Sequence, residues 1–187
     1  MTTIATRRLI VRNWREGDRQ AFFEMNADPK VMRFFERTRS RQEADALLDR
    51  FVEEIERIGY GFWALELRET GETIGFTGLR DIDFDEPFSP GVEIGWRLLA
   101  RHWGNGYATE AARACLTHGF EQMDLDEIVS FAVVENWASR RVMERIGMHR
   151  EPRYDFDHPD VPPASPLARH AFYRLKSADW RQTQSGS

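Results

Sequence analysis

Residues 101–109 read Arg-His-Trp-Gly-Asn-Gly-Tyr-Ala-Thr. A turn built on Gly104 and Gly106 leaves backbone N–H groups unpaired, and a helix starting just after it adds its own unpaired N–H groups. Such a nest at a helix N-terminus suits a phosphate. The turn lacks the Gly-Lys-Ser/Thr of a Walker loop, and Thr109 fills the third glycine position of a dinucleotide-binding turn. Glycine spacing of this kind also marks ordinary turns. A second stretch, Asp155-Phe-Asp157-His158-Pro159, offers an imidazole that titrates near neutrality and can take a proton; the other reading is a surface loop histidine. His102 reads as a surface or phosphate contact. Cys115, the lone cysteine, sits among Ala111, Ala112 and Ala114 and reads as a small apolar filler. One cysteine permits neither an intramolecular disulfide nor a thiolate metal cluster.

The elements that hold these residues follow from periodicity. An apolar run at 92–99 enters the glycine turn as a strand, and an amphipathic run at 107–123 leaves it as a helix. On that helix Ala108, Ala112, Cys115, Leu116, Gly119, Phe120 and Met123 share one face. Upstream, 8–14 alternates as a strand, and 17–27 reads as a helix ended by Asp28-Pro29. Ser40 and Glu43 form a capping box for a helix that Gly59 ends. Strands at 62–67 and 73–79 are joined by a turn at Thr70-Gly71. Downstream come an apolar strand at 127–134, a short helix opened by Glu135-Asn136 and closed by Gly147, and strands at 148–153 and 170–175. A loop with Pro159, Pro162, Pro163 and Pro166 separates the last two strands. This order predicts an α/β fold with a mixed, mostly antiparallel sheet.

Length suits one domain with one sizeable core, and no repeat or linker interrupts it. A formal charge of −5 argues against a general nucleic-acid binder, yet leaves room for a local basic rim around a phosphate. No leader-like or long apolar span is seen, so the expectation is a cytoplasmic protein with no membrane contact. The polar tail, 182–187, is expected to fray.

Arg101-x-x-Gly104-x-Gly106 resembles the R-x-x-G-x-G/A pyrophosphate loop of the GNAT superfamily, the Gcn5-related acetyltransferases. Asn136-x-x-Ser139 followed by Gly147-Met148, with the opening Thr6-Arg7-Arg8-Leu9-Ile10-Val11-Arg12, resembles its RimJ/RimL-like branch. The order of elements matches as well, and the resemblance covers nearly the whole chain. It implies a single GNAT-type domain over 1–187, with a central sheet of six to seven strands flanked by about four helices. It implies acetyl-CoA as acyl donor, an amine acceptor (a small molecule or a protein N-terminus), no metal, and a homodimer as one possibility.

By that resemblance Leu98 and Leu99 offer backbone groups to the pantetheine. The N–H groups around Trp103, Gly104, Asn105, Gly106, Tyr107 and Ala108 take the pyrophosphate. Arg101 adds a charged contact or is simply a solvated charge, and Asn136 bonds the pantetheine arm. Acetyl transfer to an amine by direct attack in a ternary complex needs a neutral amine, a stabilised oxyanion and a thiolate able to leave. Many members carry a tyrosine acid at the position matching Met143, and methionine cannot give a proton. Ser139 takes that role in the RimL-like pattern, by a hydrogen bond to the leaving sulfur; the alternative is a first-turn serine bonding the backbone. His158 is the first candidate base and Glu93 the second. Trp103 and Trp137 stand apart from the other aromatics because both lie inside the motif segments, and Trp14 and Phe35 are candidates for lining the acceptor pocket. Two other classes remain: a non-catalytic acyl-CoA-binding module, and a different nucleotide binder using the glycine turn. The net negative charge favours cationic acceptors weakly.

Overall fold

A computed structural model describes residues 3–185. Among them are nine strands and five α-helices, arranged as two compact units. The first unit comprises residues 3–80 and Gly95–Cys115, the second Asp81–Ile94 and residues 116–185.

In the first unit, β1 (Thr3–Ala5), β2 (Leu9–Arg12), β3 (Phe62–Leu67) and β4 (Thr73–Asp81) run antiparallel in succession. The register is fixed by pairs such as Val11↔Leu65 on one face and Ala64↔Phe76 on the other, all four side chains buried. Two helices, α1 (Arg19–Ala27) and α2 (Arg41–Ile58), separate β2 from β3. The capping box forms as expected: Ser40 accepts from the Glu43 N–H, and Glu43 accepts from the Ser40 N–H. Ala44, Leu48, Phe51 and Ile55 then form the buried stripe of α2. Phe22, Phe51, Phe62 and Phe76 pack with centroids 5.2–6.2 Å apart. Each buried ring stabilises by roughly 2 kcal/mol. At Gly75 a Cβ would lie 2.2 Å from the Arg97 carbonyl oxygen, so only glycine lets β4 sit against the end of β5 (Val92–Leu98). The first half of α3 (Tyr107–Glu121) completes this unit, with Ala111, Ala112 and Cys115 fully buried.

In the second unit, the start of β5 pairs parallel with β6 (Glu127–Val133) at Glu93↔Val129. β6 pairs antiparallel with β9 (Arg169–Lys176) from Glu127↔Lys176 to Val133↔His170. Between them lie α4 (Trp137–Arg145), β7 (His149–Arg150) and β8 (Phe156–Asp157). Phe88, Val129, Phe156 and Phe172 form one core cluster here.

The α/β fold with a mostly antiparallel strand arrangement is as expected, with three differences. The strand expected at 148–153 shrinks to β7, because Pro152 has no N–H to donate and opens a 3-10 turn at Pro152–Tyr154. β1, β7 and β8 are two or three residues long and raise the count above six to seven. A fifth helix, α5 (Ser177–Ser185), occupies residues expected to fray; Trp180 stacks on Phe120 at 5.3 Å and anchors it. Residues 186–187 of that tail lie outside the described residues. The proline-rich loop is a chain of hydrogen-bonded turns, Val161 to His158, Ser165 to Pro162 and Ala168 to Ser165. No helix among the described residues is long and apolar enough to cross a membrane.

Candidate active site

In the first unit the glycine turn joins the end of β5 to α3. Gly104 has φ +81° and Gly106 φ +79°, left-handed values that residues with a Cβ adopt only under strain. The space around Gly104 is open, so conformation, and not crowding, requires the glycine. The first intrahelical bond runs from the Glu110 N–H to the Gly106 carbonyl. The N–H groups of Gly104, Asn105, Gly106, Tyr107 and Ala108 have no acceptor among the described residues. Together with the helix start, these N–H groups make a cluster of donors of the kind that suits an anion.

The strand end leading into the turn is already engaged. The Leu98 carbonyl accepts from the Trp103 indole N–H at 2.9 Å. The Leu99 N–H is donated to the Ile74 carbonyl at 2.9 Å, and the Leu99 carbonyl accepts from the His102 N–H at 3.0 Å. Each carbonyl keeps one lone pair. Arg101 donates to Glu72 at 2.9 Å and to Glu24 at 3.3 Å, and His102 Nε2 meets the same Glu72 oxygen at 3.0 Å. Burial raises the Glu72 carboxyl, but His102 and Arg101 outweigh it and hold the group below its usual range. Trp103 is 39 % exposed. The Lys30 ammonium lies over its ring at 5.5 Å.

Arg8, used above only as a family marker, stands at this turn. Its Nη1 donates to the Asn105 carbonyl at 3.0 Å, and its guanidinium lies over the Tyr107 ring at 4.6 Å. Glu110 holds it in place: Arg8 Nε donates to Glu110 Oε2 at 2.7 Å, and the Arg8 N–H and the Thr6 hydroxyl both donate to Oε1. Residues so far apart carry no local signal of this contact. Cys115 is fully buried beside Thr77, and burial pushes its thiol up to about 12, in keeping with the filler reading.

In the second unit Asn136 caps α4, its Oδ1 accepting the Ser139 N–H at 3.2 Å. The Ser139 hydroxyl has no partner among the described residues, so the backbone-bonding role falls to Asn136 alone. Met143 is buried in the core. Trp137 is 58 % exposed, with the Arg140 guanidinium over its ring at 4.1 Å. Glu93 lies on β5 opposite Val129, part-buried.

His158 sits in an aromatic cluster with Phe84, Phe131, Phe156 and His170, centroids 5.0–5.9 Å away. Its Nδ1 accepts the Asp160 N–H at 3.2 Å, so in the neutral ring Nε2 carries the proton. Burial lowers its pKa, with Asp160 and Asp83 opposing, and it is neutral at pH 7. Trp14 belongs to the core cluster of the first unit, its indole N–H donated to the Phe62 carbonyl at 2.7 Å. Phe35 is 43 % exposed and stacks on Arg97 at 4.1 Å.

Known proteins bear on this arrangement. The model of the acetyltransferase (GNAT) domain matches residues 8–149, a span that runs through both units. The uncharacterized N-acetyltransferase YnaD of Bacillus subtilis is 31 % identical over 95 % of this chain and 98 % of its own. A crystal structure of a GNAT-family acetyltransferase from Bacillus anthracis superposes with a TM-score of 0.78 at 26 % identity, covering 95 % of this chain and 99 % of that one. RimL, a ribosomal alpha-N-protein acetyltransferase in complex with coenzyme A, shares the fold with a TM-score of 0.75 at 19 % identity, covering 94 % and 98 %. The chain belongs to the GNAT acetyltransferase family, and it is an N-acetyltransferase.

Proposed function

We propose that the protein moves the acetyl group of acetyl-CoA to a primary amine by direct attack in a ternary complex, as one domain of the RimJ/RimL-like type. The observation that carries the reading is the Gly104–Gly106 turn, whose unpaired N–H groups open α3 beside the Arg8 guanidinium. This donor set fits a pyrophosphate: several backbone donors, a helix N-terminus and a fixed cation. Acetyl-CoA supplies an acyl group activated as a thioester. Gly104, Asn105, Gly106, Tyr107 and Ala108 bind its phosphates with Arg8; Arg101, Trp103, Leu98, Leu99 and Asn136 hold the rest of the donor. Because the Asn136 oxygen caps α4, its amide N–H₂ is the group left for the pantetheine arm.

Ser139 has an uncommitted hydroxyl and acts as hydrogen-bond donor to the leaving sulfur, while its high pKa makes full proton transfer a minor part of its role. His158 takes the amine proton once Nδ1 releases the Asp160 N–H, its depressed pKa keeping it neutral beforehand. Glu93 is the alternative base. The cytoplasm, where acetyl-CoA is plentiful, is the place of action in this reading.

Calorimetric titration with acetyl-CoA, desulfo-CoA and ATP tests it. Micromolar binding of both CoA ligands and none of ATP is expected. Gly106→Val should lower CoA affinity about 100-fold or more by straining the turn and blocking the phosphate approach. Normal affinity in that variant would remove the turn from the cofactor site. Binding without transfer to any of a panel of amines would turn the enzyme reading into that of an acyl-CoA-binding module.

A further inference from the structure

Arg97, on the β5 segment of the first unit, holds a cation that the protein does not neutralise. Its guanidinium lies 4.1 Å from the Phe35 ring centroid and 5.3 Å from that of Phe76. Its one hydrogen bond among the described residues goes from Nη1 to the Asn26 side-chain oxygen at 2.7 Å. Asn26 is fully buried and fixed in turn, its amide N–H₂ donating to the Phe22 carbonyl at 2.8 Å. No carboxylate pairs with Arg97 among the described residues.

The charge that acts on it is another cation. Arg39 repels Arg97, and burial together with that repulsion pushes the Arg97 guanidinium down to about 9. The Arg39 backbone N–H is donated to the Asn26 carbonyl at 2.9 Å, and its Nε is buried with no hydrogen-bond partner. Burial lowers the Arg39 pKa too, helped by Arg37 and Arg50; Glu43 opposes, but it is already bound by Arg37 and Ser40. The whole segment 28–40 carries Lys30, Arg33, Arg37 and Arg39 against Asp28 and Glu36, in a chain of net charge −5. A desolvated cation without a counter-charge costs stability, so a site that keeps one is built for an anion from outside.

We propose that Arg97 and Arg39 receive a carboxylate of the acetyl acceptor, so that the preferred acceptor is an amine whose own molecule bears a carboxylate. The free edge of a guanidinium held against two rings is planar, and it matches a planar carboxylate. The proposal rests on the acetyltransfer reading above. It replaces the weak preference for cationic acceptors inferred from net charge, because a local pair of guanidinium groups outweighs a diffuse field.

The test compares glycine, glutamate and phenylalanine with their amides as acceptors. The α-amides carry the less basic amine and so hold more of it in the neutral, attacking form at pH 7, so a preference for the acids opposes amine availability. The acids should be favoured about 100-fold in kcat/KM, and Arg97→Gln should remove that preference while acetyl-CoA affinity stays unchanged. Arg97→Lys should restore part of it. Equal rates on acids and amides in the wild type would overturn the proposal, as would Arg97→Gln losing both classes alike. A second readout needs no turnover: N-acetylglycine, and not its amide, should raise Tm in the wild type and not in Arg97→Gln. That shift without any acetyl transfer would keep the anion site and sink the acetyltransfer reading; transfer without the shift or the acid preference would do the reverse.

Discussion

Arg12 and Arg97 belong to the same unit, the first buried and the second part-buried, yet their surroundings are opposite. Arg12 donates from Nε to Glu66 at 2.6 Å, from Nη1 to Asp18 at 2.8 Å, and from Nη2 to Asp18 and the Thr73 hydroxyl at 3.0 and 3.1 Å. Thr73 passes its own proton donor to Asp18 at 2.6 Å. Burial disfavours the Arg12 charge, but Asp18 and Glu66 more than offset it and its pKa is raised. Arg97 meets an amide oxygen, two rings and a second guanidinium, and its pKa falls. The first cation is completed inside the fold. The second is left with a demand that only an added group can meet, and that asymmetry separates architecture from site.

Removing each charge gives the widest split between them. Arg12→Ala strands two buried carboxylates and should destabilise the fold by about 3–5 kcal/mol. Arg97→Gln removes an uncompensated cation, keeps a donor for Asn26, and should leave stability unchanged or raise it by up to about 1 kcal/mol. Urea unfolding of both variants decides the matter. An Arg97→Gln loss as large as that of Arg12→Ala would mean that Arg97 is also an internal support, and the comparison would fail.

A third basic group, part-buried, behaves differently because it can discharge. His170 lies among Phe131, Phe156 and His158, and burial pushes its pKa down to about 4. The shift has a definite sign. With the folded pKa below the unfolded value near 6.5, the unfolded chain binds more protons between those limits. Stability is therefore full above about pH 6.5 and is lost as pH falls toward 4, by up to about 3 kcal/mol. His170→Phe should flatten Tm against pH across that window, although it forfeits the hydrogen bond of Nδ1 with the Ala168 carbonyl at 2.8 Å. An unaltered slope would assign the acid sensitivity to other groups, His158 among them, whose pKa burial also lowers.

How much of this was legible in the sequence follows the range of the interactions. The capping box at Ser40, the strand at Phe62–Leu67, the glycine turn and the Asn136 cap all depend on residues within a few positions of one another, and all were readable. The Arg8–Glu110 clamp and the Arg97–Asn26 contact join residues 102 and 71 positions apart, and no periodicity announces them. The helix α5 was hidden for a related reason: its sequence is polar, and its one apolar anchor among the described side chains, Trp180, packs on the distant Phe120. His158 was readable as a titrating group, but not its bond from the Asp160 N–H, which decides where its proton sits.

The smallest expected effect comes from Ser139, where the contrast between met and unmet polar groups is at its simplest. Its backbone N–H is satisfied by Asn136 and its hydroxyl by nothing among the described residues. If the hydroxyl serves the leaving sulfur, Ser139→Ala should lower kcat about 10-fold, the cost of one hydrogen bond to a group gaining negative charge, with acetyl-CoA affinity and Tm unmoved. A serine with no part in transfer would leave kcat unchanged along with affinity and Tm, since Ser139→Ala keeps the backbone N–H that Asn136 accepts and so keeps the cap. Ser139→Cys sharpens the choice. A thiol is a poorer donor of similar size, so a rate between those of serine and alanine at equal stability fits a hydrogen bond made during transfer, and a rate equal to that of serine assigns the position to packing.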